Sequence, residues 1–194
     1  MSMYWISNSN MMTTLTAKYD LKLGQHAVNF LVGTSYEHYK YERLYSKRTD
    51  FVSDGLEDIE QGNNISKDLP DGRGIVESKM LSYFGRINYS YKDRYLFEAN
   101  LRADASSRFH KDNRWGWFPS FSAGWRISEE SFMKPIAWLN NLKLRASYGT
   151  LGNINNVGYY DYFELLSSNA NYNFNDEPVK GVLEAQITNK TLGW

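Results

Sequence analysis

From Leu81 to Ala105 polar and apolar positions alternate with a period of two, which predicts two eleven-residue strands joined at Lys92-Asp93-Arg94. Leu81, Tyr83, Gly85, Ile87, Tyr89 and Tyr91 share one side of the first strand. Tyr95, Phe97, Ala99, Leu101, Ala103 and Ala105 share one side of the second. Folding the strands about the turn sets Tyr91 against Tyr95, Tyr89 against Phe97, Ile87 against Ala99 and Gly85 against Leu101, so apolar meets apolar at every rung. The opposite face sets Asn88 against Glu98 and Arg86 against Asn100, with Arg86 diagonal to Glu98. Only Phe84 and Leu96 interrupt it. Strands of about 9–11 residues suit a tilted bilayer crossing, whereas globular strands cluster near about 5–6.

The same alternation predicts further strands. Leu15, Ala17 and Tyr19 alternate with Thr14, Thr16 and Lys18; Val28 to Tyr36 follows after Asp20 to Gln25 and extends toward Tyr45. Trp117 to Ile127 and Leu142 to Gly149 are two more. Lys47 to Val76 reads as a long polar loop, as does the region beyond Gly152, apart from strands expected near Tyr160 to Leu166 and Val182 to Thr188. Connections alternate between short and long, the asymmetry of periplasmic turns and outer loops in membrane barrels. Glu129 to Asn140 is the exception, long on the short side.

Composition narrows the reading. The chain has 22 basic and 22 acidic residues, which removes the electrostatic case for nucleic acid, and no cysteine, which excludes thiol catalysis and thiolate metal sites. Mean hydropathy is −0.59 and no run reaches the roughly 18 apolar residues of a spanning helix, a test that barrels escape because half of each strand faces water. Met1 to Met12 carries no signal-peptide pattern. Fifteen tyrosines suit membrane interfaces and sugar-binding surfaces alike.

No constellation carries catalysis. His26, His38 and His110 lack zinc-ligand spacing, and Asp54, Glu57, Asp58 and Glu60 lack the ligand order of a calcium loop. Glu98 and Asp104 lie about 20 Å apart on one strand face, beyond the roughly 5–9.5 Å of glycosidase pairs. No enzyme and no cofactor is expected.

Several stretches in this order resemble the SusC/RagA family of TonB-dependent outer-membrane transporters: Gly85-Arg86-Ile87-Asn88-Tyr89, Tyr91-Lys92-Asp93-Arg94-Tyr95, Arg102-Ala103-Asp104-Ala105-Ser106-Ser107-Arg108-Phe109, Trp115-Gly116-Trp117-Phe118-Pro119-Ser120, Gly124-Trp125-Arg126 with Glu130, and Leu142-Lys143-Leu144-Arg145-Ala146-Ser147-Tyr148-Gly149. The resemblance implies an all-β fold, a segment of an antiparallel up-and-down transmembrane β-barrel of 22 strands with a plugged lumen. It also implies import of glycan fragments or peptides with a SusD-like surface lipoprotein, driven by the TonB complex, in the outer membrane of a Gram-negative, Bacteroidota-like bacterium. Residues 1–194 are then expected to be an internal part of the barrel domain, with the plug, the TonB-contacting region and the remaining strands outside it. The residues before Trp194 lack the alternation of a terminal barrel strand.

On this reading the apolar faces meet outer-membrane lipid, while Arg86, Glu98, Arg102, Asp104, Arg126 and Arg145 line the lumen. Tyr89, Tyr91, Tyr95 and Phe97 form an interfacial girdle, and Tyr45 and Phe51, which bracket the polar stretch Ser46 to Asp50 at the long loop, are candidate substrate contacts. The alternative from another class is a soluble carbohydrate-binding β-sandwich whose apolar face packs on a second sheet.

Overall fold

A computed structural model describes residues 2–47, 72–136, 138–174, 177–184 and 188–194. Six strands form one antiparallel sheet in chain order: β1 (Ser2–Leu23), β2 (His26–Lys47), β3 (Gly72–Tyr91), β4 (Tyr95–Ser106), β5 (Trp115–Arg126) and β6 (Lys143–Gly149). A separate antiparallel pair, β7 (Leu166–Phe174) and β8 (Glu177–Glu184), follows. The chain divides into two compact units, one of residues 1–12 and 37–79 and one of 13–36 and 80–194.

The register of the central hairpin is the one the alternation predicts, from Tyr91 opposite Tyr95 through Ile87 opposite Ala99 to Gly85 opposite Leu101. Lys92 and Asp93 adopt φ of 53° and 55°, and Gly24 adopts 59° in the preceding tight turn. Among the described residues only these three take left-handed backbone. The two turns are tied together, since the Lys92 amide donates to the Gln25 carbonyl at 2.8 Å.

Strand lengths depart from the alternation. β1 begins at Ser2 and continues to Leu23 although Ser7 to Met12 does not alternate, because ladder pairing with a neighbour makes a strand whatever its side chains are. Gly72 to Val76, expected as loop, is the start of β3. Tyr160 to Phe163 is not a strand. The Phe163 amide donates to Tyr160 and the Asp161 carboxylate accepts from the Gly158 amide at 2.6 Å, so the segment turns and β7 starts only at Leu166. β8 covers the first part of the strand expected near Val182 to Thr188, while residues 185–187 lie outside the described residues. The long connection on the short-turn side is a folded one. A 3-10 turn at Ile127–Glu129 leads into successive turns in which Met133, Ile136 and Leu139 donate to the carbonyls of Glu130, Met133 and Ile136.

Both apolar interruptions of the polar face have a partner without a side chain. A Cβ on Gly33 would lie 2.5 Å from the Phe84 ring and 2.9 Å from the Leu15 carbonyl oxygen, so Phe84 of β3 lies across bare backbone of β2. Leu96 likewise borders the space over Gly124, its register partner. Gly33→Ala must displace a ring and a backbone oxygen together. It is expected to cost about 1–3 kcal/mol, read from urea unfolding of the full-length protein in lipid; an unchanged midpoint would show that the wall yields there freely.

Burial runs opposite to that of a water-soluble domain. Among the described residues the buried hydrophobic side chains are Ala103 and Phe109, whereas Ser82, Asp104, Ser106 and Glu130 are buried polar ones. Ile87, Phe97, Leu101, Phe121 and Leu144 are between 46% and 63% exposed. Water would not leave such a face bare. The sandwich alternative needs a second layer over these side chains, and the described residues provide none.

Candidate functional site

The sheet has two working faces. On the apolar one, aromatic rings collect in two rows. At the short-turn end Tyr91, Tyr95 and Trp125 occupy one rung, with stacked ring centroids 6.4 and 6.5 Å apart, and Tyr89 stacks on Phe97 at 6.3 Å. At the other end Tyr83 stacks on Trp115 at 5.9 Å, with Trp117 beside them in the register. Aliphatic and small residues fill most of the band between, with Phe121 and Tyr148 side by side on the rung of Ile87 and Ala99. From Tyr95 to Ala105 the strand advances about 33 Å, which at a tilt near 40° gives about 25 Å of height, the height of the apolar band of a membrane barrel. The second row went unnoticed in the sequence because Trp115 and Trp117 follow a polar turn, although their parity with Pro119 and Phe121 carried the signal.

Strand parity and register place all six candidate lumen residues, Arg86, Glu98, Arg102, Asp104, Arg126 and Arg145, on the opposite face. Four of them join in two clusters. Arg86 Nε donates to Asn100 Oδ1 at 2.7 Å and Asn100 Nδ2 donates to Glu98 Oε1 at 2.9 Å, so the amide bridges the diagonal pair. Arg102 Nε lies 2.7 Å from both Asp104 carboxylate oxygens, its Nη2 donates to Ser82 Oγ at 3.0 Å, and its guanidinium stacks over Phe84. Arg126 and Arg145 stand apart from these clusters. Small residues, Ser120, Ser122, Ser147 and Gly149, make the neighbouring floor.

Two further groups of contacts were not legible as sites. Glu130 Oε1 accepts from Tyr95 Oη at 2.7 Å and from Trp125 Nε1 at 3.1 Å, while Arg94 Nη1 meets Oε2 at 3.1 Å; this carboxylate fastens the 127–142 connection to the feet of β4 and β5. At the opposite end Trp194 lies on the polar face of β5. Its ring packs against Phe109 and Phe118 and its Nε1 donates to the Arg114 carbonyl at 2.6 Å. Arg108 holds the adjoining loop, with its guanidinium 4.1 Å from the Tyr159 ring centroid and Nη1 donating to the carbonyls of Ile154 and Val157. Gly152 and Trp194, both beyond β6, therefore lie over the polar face of the sheet.

Of the two candidate substrate contacts, Tyr45 lies among the last residues of β2 and not in a loop, its ring tilted against that of Tyr4 with centroids 4.7 Å apart, and Phe51 lies outside the described residues. The three histidines pair with Tyr89, Glu77 and Asp112 respectively. No cluster of metal-ligating side chains occurs among the described residues.

An antiparallel sheet with one apolar, aromatic-edged face left uncovered and one ionic face is a section of transmembrane β-barrel wall. The family model for TonB dependent receptor-like β-barrels matches residues 2–189, and the chain belongs to that family. It is 36% identical over 169 residues to TonB-dependent receptor SusC of Bacteroides thetaiotaomicron and 35% identical over 170 residues to TonB-dependent receptor P39 of Formosa agariphila, covering 84% and 88% of this chain respectively. The chain spans 16% of the length of each of these relatives. Its fold is similar to the RagAB peptide transporter, with a TM-score of 0.85 and 28% identity, covering all of this chain and 21% of that one. These relatives are TonB-dependent receptors and a peptide transporter by name, and the chain is a segment of a TonB dependent receptor-like β-barrel.

Proposed function

We propose that this chain is an internal section of the barrel of a TonB-dependent nutrient importer of the SusC type, in the outer membrane of a Gram-negative bacterium. The single observation that carries the reading is the inverted burial: an apolar face without cover, bounded by two aromatic rows about one bilayer apart. The plug, the TonB-contacting region and the remaining strands belong to other parts of the complete protein, and Arg86, Glu98, Arg102, Asp104, Arg126 and Arg145 face its lumen. Likeness to SusC and to the RagAB peptide transporter supports a SusD-like lipoprotein as partner and glycan fragments or peptides as cargo.

Cargo recognition falls to the long connection after β2 and the strand end that leads into it. Tyr45, with Tyr4 against it, offers aromatic faces of the kind that stack on sugar rings or apolar side chains. The test uses the full-length importer with its partner lipoprotein. Loss of the gene should abolish uptake, and replacing Tyr45 and Phe51 by alanine should weaken cargo binding about tenfold with membrane assembly unchanged. Unaltered affinity would remove the two residues from the site, while a protein absent from the outer membrane would sink the importer reading itself.

A further inference from the structure

Two of the connections at the short-turn end, Gly24-Gln25 and Lys92-Asp93-Arg94, are tight and carry no apolar side chain. The third, residues 127–142 between β5 and β6, is long and turns large rings outward. Phe132 is 61% exposed and Trp138 is 81% exposed. The remaining side chains are sorted by position: Glu130 is buried and Met133, Ile136 and Leu139 are half-buried, at every third residue, in step with the hydrogen bonds that link them. Ser131, Phe132, Lys134, Pro135 and Trp138 make the exposed side. Such a segment is two-sided, and its bare side is aromatic.

The hydrogen bonds of Glu130 fix the side of the wall on which this connection starts. Its Oε1 accepts from Tyr95 Oη and Trp125 Nε1, and these two residues are register partners on the apolar face, with Leu144 next to Trp125 on the same rung. A carboxylate that meets the polar tips of lipid-facing rings lies where those tips leave the hydrocarbon. The connection therefore departs from the outer side of the wall and not from the lumen. It also returns at that level, because the Ser128 amide donates to the Leu142 carbonyl at 3.2 Å. Lys134 forms no ion pair among the described residues, and its long stem lets an ammonium reach a phosphate while the neighbouring rings stay in an apolar layer.

We infer that residues 127–142 are a membrane-surface anchor, in which Phe132 and Trp138 enter the headgroup layer of the periplasmic leaflet and Lys134 meets a lipid phosphate. The inference rests on the reading of this chain as outer-membrane barrel wall, whose short turns face the periplasm. Continuity with the lipid-facing aromatic row selects phospholipid as the partner. Composition agrees, since the connection carries only Glu129, Glu130 and Lys134 as charged residues and Glu130 is already paired, so rings and not charge supply the attraction. Pro135 between the two rings restricts the backbone that presents them. Anchored in this way, the foot of β5 and β6 is held at a fixed depth by a segment that crosses nothing.

The test uses the full-length transporter reconstituted in vesicles of phosphatidylethanolamine and phosphatidylglycerol. A nitroxide is attached at Trp138→Cys with Phe132 retained, and its depth is read from relaxation by oxygen and by a water-soluble nickel chelate. The label is expected about 5–10 Å below the phosphates, and adding Phe132→Ala should move it toward water. Should the first variant fail to assemble, Phe132→Cys with Trp138 retained carries the label, with the same depth expected. A label open to the nickel chelate would overturn the inference. So would one shielded from both reagents, which would mean that another part of the transporter covers the rings. Leu101→Cys carries the control label, expected near the middle of the bilayer. Water at that position would instead defeat the barrel-wall reading, which keeps the two failures apart.

Discussion

Leu101→Arg in the intact protein is expected to lose about 2–4 kcal/mol of stability and to vanish from the outer-membrane fraction. Leu101 is 46% exposed and lies near the middle of the band between the two aromatic rows, with Gly85 and Pro119 as its register partners. An arginine there puts a cation at the depth where hydrocarbon solvates it worst, and small neighbours offer no polar atom to receive it. Leu101→Ala leaves the face apolar and should assemble. Immunoblots of separated membranes, with urea unfolding in lipid vesicles for the magnitude, decide the matter. Normal assembly of the arginine variant would mean that something other than lipid covers this side of the sheet.

Glu130→Gln is expected to loosen the connection at the foot of β5 without unmaking the sheet. The carboxylate gathers Tyr95, Trp125 and Arg94, and a neutral amide leaves the guanidinium without its countercharge and offers one acceptor oxygen where there were two. Protection of the Met133, Ile136 and Leu139 amides against hydrogen exchange should fall about tenfold at pH 7. Acid should act in the same way on the wild type. Hydrogen bonds from Tyr95 and then Trp125 hold the Glu130 carboxyl below the usual carboxylate range. Because folding lowers this pKa, its stabilisation is complete above the unfolded-state value of about 4.3 and disappears as the pH falls through the lower folded-state value. The glutamine variant should show no such acid step. Equal protection in both proteins at pH 7 would remove Glu130 from the role of fastener.

What the sequence revealed follows from which interactions are local to a strand pair. Alternation and a three-residue turn specify the register from Leu81 to Ala105, since slipping one residue would move every apolar side chain to the other face. Parity alone assigned Arg126 and Arg145 to the ionic side before their neighbours were known. Long-range effects left weaker traces. The first half of β1 and the start of β3 are strands because a neighbour hydrogen-bonds them, and Ser7 to Met12 or Gly72 to Val76 carry no periodicity to announce it. The return of Trp194 to the face of β5 joins positions eighty residues apart through one ring edge and one carbonyl. Glu130 was visible as part of a family pattern but not as an acceptor for three donors, which requires the 3-10 turn that aims it.

The ring of Phe84 on Gly33, and Leu96 beside Gly124, carry a consequence for related proteins. Each couple has room for one side chain across two adjacent strands. A lineage that gains bulk at position 33 must shed it at position 84, and the same exchange holds between 124 and 96. Such compensating swaps leave a historical trace of which strands lie side by side, so comparing many descendants at these four positions should recover the neighbour order of the wall with no coordinates at all.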